Sequence, residues 1–128
     1  MQNILRFSFI VLIFMCCSTL KGALAKPHDE PRVSFLHAIN DMPLAPKLTE
    51  ILDQNIIFDK TTGRIILSHA EGPNSPEAIS DFYHKTLPQL GWVKLKPLSF
   101  QRGNEVLNIE LSDKAGITHV IFQLKPRV

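Results

Sequence analysis

Beyond Cys17 the chain has no cysteine, so no disulfide or thiolate chemistry is available to the remainder. It has one tryptophan and one tyrosine. It lacks G-x-S-x-G, lacks any glycine-rich phosphate loop, and has no pair of histidines at metal-ligand spacing. It also lacks charge of one sign. Of the 14 Lys and Arg residues, Arg6 and Lys21 fall before residue 26, which leaves 12 cations against 12 acids in the remainder. A neutral chain without a basic run offers no footprint for nucleic acid and no attraction to an anionic membrane surface.

What is present begins with an export signal. Arg6 precedes an uncharged apolar run, Phe7–Leu20, and Ala23-Leu24-Ala25 supplies the small-x-small pattern of a cleavage site. A membrane-crossing helix needs about 20 apolar residues. This run is shorter and ends at Lys21, which favours a cleavable signal over a retained anchor. Cys16 and Cys17 lie inside it without the small residues that precede a lipidated cysteine. Residues 1–25 are therefore expected to be a removable leader. Residues 26–54 are expected to form a proline-rich arm, and 55–128 an α+β domain that is periplasmic or secreted, with no membrane span after cleavage.

In the arm, Pro27, Pro31, Pro43 and Pro46 disfavour regular structure. Phe35, Leu36, Ile39, Met42 and Leu44 are too apolar to be left in water. Asn55–Asp59 and Arg64–Ala70 flank a four-residue connection ending in Gly63, the signal of a β-hairpin. The helix signal follows. Ser75 is an N-cap, Pro76 suits the first helical position, and Glu77 complements the dipole. Ile79, Phe82, Tyr83, Leu87 and Leu90 recur at helical spacing. Pro88 predicts a kink or an end, and Gly91 a left-handed stop.

Four more strands are predicted over Trp92–Lys96, Leu98–Arg102, Glu105–Ser112 and Ile117–Leu124, with turn residues between them. The order β-β-α-β-β-β-β implies an antiparallel sheet with a single helix packed on one face. Alternation puts Leu107, Ile109 and Leu111 toward the helix, as well as Val120, Phe122 and Leu124. It assigns Trp92, Val106, His119 and Ile121 to the opposite face, where an apolar group would mark a partner-binding surface unless the arm folds over it.

Phe82-Tyr83, then Leu87-Pro88-x-Leu90-Gly91-Trp92, with Phe58-Asp59, Gly63-Arg64-Ile65, Phe122-x-Leu124-x-Pro126 and Met42-Pro43-Leu44, resembles a pattern in small secreted proteins of alphaproteobacteria. The resemblance covers most of the chain after residue 25. It implies an exported α+β fold and no particular activity.

The histidines, His28, His37, His69, His84 and His119, have no converging spacing, so no metal or cofactor is expected. The expected function is non-enzymatic: a periplasmic or secreted protein-binding module that contacts another envelope protein through the sheet face or an edge strand. The alternative is a small hydrolase-like enzyme centred on His69 or His119, with Ser68 and Asp59 nearby.

Overall fold

A computed structural model describes residues 32–128. The expected leader and cleavage site, and His28, lie outside the described residues.

The predicted α+β class is what the described residues adopt: one helix on a seven-stranded, wholly antiparallel sheet. β1 is Thr49–Glu50, β2 Ile56–Lys60 and β3 Gly63–Gly72. The helix α1 spans Pro76–Thr86, and β4 Val93–Lys96, β5 Ser99–Arg102, β6 Glu105–Lys114 and β7 Ile117–Pro126 follow. The strand order is β1-β3-β7-β6-β5-β4, and β2 also pairs with β3. The chain makes the β2–β3 hairpin, crosses the sheet through α1, and returns from the far edge as a meander that brings β7 against β3.

The local signals place α1 as expected. Ser75 Oγ accepts from the Ala78 N–H at 3.2 Å, and Pro76 opens the first turn. A 3₁₀ turn, Leu87–Leu90, absorbs Pro88, and Gly91 closes it at φ 86°. Ile79, Tyr83 and Leu87, spaced i, i+4, i+8, are fully buried. Each contributes about 1.5–3 kcal/mol of burial before entropy is counted. Phe82 only flanks this stripe, and Leu90 is exposed.

The sheet face beneath the helix carries Ile66, Ser68 and Ala70 of β3 and Val120, Phe122 and Leu124 of β7. Leu107 and Ile109 of β6 complete it. Ring contacts tie the layers, with Tyr83 edge-on to both Phe82 and Phe122 at centroid distances of 5.0 and 5.5 Å.

The segment before β2 belongs to this same core. Leu36, Ile39, Met42, Leu44, Ala45 and Leu48 are buried. The segment is a loop closed at its base by the Phe35–Pro43 bridge and by the Leu36 N–H donating to the Met42 carbonyl at 2.9 Å. It lies on the helix side of the sheet, not over the opposite face where sequence left room for it. The physical reason is a pair of buried hydrogen bonds: the Tyr83 hydroxyl donates to the Pro43 carbonyl (2.9 Å) and accepts from the Ala45 N–H (3.2 Å). Burial pushes the Tyr83 phenol well above its ordinary range, so it keeps the proton it donates. One helix cannot roof a sheet of this width; the loop roofs the rest. Gly72 lets the end of this segment approach β3, since a Cβ there would sit 2.6 Å from the Lys47 carbonyl oxygen.

Candidate interaction surface

Strand alternation leaves the second sheet face to Ile65, Leu67 and His69 of β3, His119, Ile121 and Gln123 of β7, and Val106, Asn108 and Glu110 of β6. Three of the four residues assigned to a partner face from sequence therefore lie on it: Val106, His119 and Ile121, all half-buried among their neighbours.

Trp92 does not. It is 2 % exposed, with the Arg102 guanidinium 4.5 Å from its ring centroid. Its backbone N–H donates to the Leu87 carbonyl at the end of the helix, and its side chain packs into the helix-side core. The alternation assumed for β4 thus runs in the opposite phase. Val93 (65 % exposed) and Leu95 are the residues left in the open, and Val93 pairs with Gln101, which pairs in turn with Val106.

Val106, His119 and Ile121 are not one cluster either. Val106 pairs with Lys125, and Ile121 with Glu110, four positions along β7 and about 13 Å apart. Between them runs a polar ladder: Ser99 Oγ donates to Asn108 Oδ1 at 2.7 Å, and Asn108 Nδ2 to Gln123 Oε1 at 3.4 Å. His119 Nδ1 lies 3.4 Å from Glu71 Oε2, its cross-strand neighbour.

The apolar weight of this face lies at its β2 end. Phe58 pairs with Ile65 and Ile56 with Leu67, a four-residue apolar group in which Ile56 and Phe58 are 44 % and 52 % exposed. Ile57, on the other side of the strand, is half-exposed as well. β2 pairs only with β3, so among the described residues its second edge is unpaired. The signal in sequence was the run Ile56-Ile57-Phe58. Three consecutive apolar residues load both faces of a strand, whereas a half-buried strand alternates.

The two sheet edges differ in protection. β4 carries Lys94 and Lys96, a register shift between them, and Pro97 directly after, the devices that stop an edge from pairing. β2 runs in unbroken register from Ile56 to Lys60, with charge confined to Asp59 and Lys60 at its turn end. Among the described residues one edge carries these devices and the other does not.

The residues weighed for hydrolysis do not converge. Ser68 is fully buried on the helix side, while His69 and His119 lie on the opposite face. Asp59 is exposed and bonded to Arg64 Nε at 3.2 Å. Ser68 Oγ instead lies 3.0 Å from both Glu50 Oε1 and Asn55 Oδ1. The Glu50 side chain, 5 % exposed, is the hub of this cluster. Asn55 Nδ2 donates to it at 2.8 Å and the His37 N–H at 3.0 Å, and His37 Nδ1 lies 2.7 Å from Oε2. Burial opposes the Glu50 charge, but these hydrogen bonds outweigh it and hold the carboxyl below its ordinary range. The cluster ties the loop, β1 and β3 together around a carboxylate. Among the described residues no histidine is hydrogen-bonded to the Ser68 hydroxyl.

Among the described residues no three His, Asp or Glu side chains are grouped to hold a metal ion, and no helix is long and apolar enough to cross a membrane. No known protein family, curated protein or solved structure matches the chain.

Proposed function

We propose that this chain is an exported binding module, acting in the periplasm or outside the cell, that takes an extended segment of another envelope protein along the free edge of β2. Strand addition derives its affinity from main-chain hydrogen bonds and its selectivity from alternate side chains. β2 supplies both needs. Its edge is unpaired among the described residues, and Ile56 and Phe58 stand beside Ile65 and Leu67, ready to pack against every second residue of an incoming strand. The observation that carries the proposal is the asymmetry between edges: β4 is guarded by lysines, a register shift and a proline, and β2 is not. Export rests on the leader-like pattern of residues 1–25.

The test is site-specific photo-crosslinking in cells that export the chain, with the reactive group at Lys60 on β2 and, as control, at Leu95 on β4. A discrete product is expected from position 60 and not from 95. Copying the β4 lysines onto β2, as Ile56→Lys with Phe58→Lys, should abolish it without unfolding the exposed hairpin. A product from Leu95 alone, or one that survives the double substitution, would remove β2 as the binding edge.

A further inference from the structure

A cavity of about 560 Å³ opens between the tip of the N-terminal loop, His37–Asp41, and one end of the helix-side sheet face. Its volume falls within the roughly 300–1,000 Å³ typical of small-molecule sites. Its chemistry is of two kinds. Ile39, Ile66 and Leu124, all buried, give it an apolar floor, and charged side chains of both signs surround that floor.

The acids are Asp41 and Glu105, whose carboxylates have no hydrogen-bonded or ion-pair partner among the described residues. The cations are Arg64 and Arg102. Each spends one of its five donors within the protein: Arg64 Nε on Asp59, and Arg102 Nη1 on the Leu90 carbonyl at 3.3 Å. Arg102 is also held in place by its stacking on Trp92.

The loop tip is pre-organised. Glu50 holds both the His37 backbone N–H and its Nδ1. A carboxylate only accepts, so Nδ1 donates. Asp41 sits at φ 58°, a left-handed conformation uncommon outside glycine, asparagine and aspartate, and the Leu36–Met42 hydrogen bond closes the loop around it. Polar groups fixed at such a position and left without partners are what a ligand site needs, because little ordering remains to oppose binding.

We propose that this cavity binds a small zwitterion with an apolar side chain, of the free α-amino acid class. The arginines receive the carboxylate, Asp41 and Glu105 receive the ammonium, and the side chain rests on Ile39, Ile66 and Leu124.

The test is an NMR titration of the chain from Lys26 onward, which contains every residue of the described core, with L-leucine, N-acetyl-L-leucine and L-leucinamide. These ligands share a side chain and differ in which charge they keep. Leucine is expected to give saturable shifts at residues 37–41, Arg64 and Glu105. The two singly charged analogues should bind at least about tenfold more weakly, the worth of one lost charge-assisted hydrogen bond. Asp41→Asn, which keeps a residue tolerant of the left-handed conformation, and Glu105→Gln should each weaken leucine about tenfold without moving the urea midpoint. Absence of saturable shifts up to about 10 mM leucine, equal binding of all three ligands, or shifts centred elsewhere would each overturn the proposal.

Discussion

Replacing Tyr83 by Phe removes one oxygen and leaves the ring in place. The ring keeps its edge-on contacts with Phe82 and Phe122. What disappears is the donor to the Pro43 carbonyl and the acceptor for the Ala45 N–H, both in the interior. A buried polar group stripped of its partner costs about 1–3 kcal/mol, so two of them, with partial relaxation of the loop, cost about 3 kcal/mol. That is a large part of the roughly 5–15 kcal/mol that holds a small domain folded. With a urea slope of about 1.5 kcal/mol/M, the midpoint should fall by about 2 M at unchanged slope. The assay is urea unfolding of parent and Tyr83→Phe, followed by far-UV circular dichroism. A midpoint shift below about 0.3 M would refute the claim that this hydroxyl fastens the loop to the helix.

Acid should act through Glu50. Its folded carboxyl lies below its ordinary 4.5, so its contribution is present above that pH and is lost as pH falls through the folded value. Glu50→Gln should cost about 1.5–3 kcal/mol near neutrality and should flatten the acid side of the stability profile, as measured by urea unfolding across the pH range. Gly72→Ala drives a methyl onto the Lys47 carbonyl and Leu48, and should lower stability by about 1–3 kcal/mol; an unchanged melting temperature would contradict the close approach. Ile79→Ala, at a fully buried position, should cost about 3 kcal/mol and more than Phe82→Ala, although phenylalanine is the larger side chain; the reverse order in urea unfolding would place the helix in a different rotation.

The elements legible in sequence were those with local causes. Ser75, Pro76, Pro88 and Gly91 mark the helix because caps and breakers act within one turn, and the alternation of Leu107, Ile109, Val120 and Phe122 marks core strands because two neighbours force one face inward. Trp92 was misplaced because β4 is a four-residue edge strand, where alternation alone does not say which phase faces the core. Burial of the Trp92 ring in the core, beneath the Arg102 guanidinium, decides that, and it is a tertiary fact. The loop from Leu36 to Leu48 was recognisably apolar, yet nothing local told which face it would cover; that depends on Tyr83 meeting Pro43 and Ala45 some forty residues away in sequence. The Glu50 hub escaped notice for the same reason, since His37, Asn55 and Ser68 come from three separate segments. The apolar end at β2 could have been found, because Ile56-Ile57-Phe58 breaks the alternation expected of a half-buried strand.

Hydrogen exchange on the chain from Lys26 tests most directly whether the N-terminal loop and the helix form one layer over the same face of the sheet. If they do, the amides of Leu36 and Ala45 will open only with the whole fold, within about 1 kcal/mol of those of Ile109 and Val120. Rapid exchange at Leu36 and Ala45 while the central strands remain protected would mean that the loop is a detachable flap, and that the core closes without it.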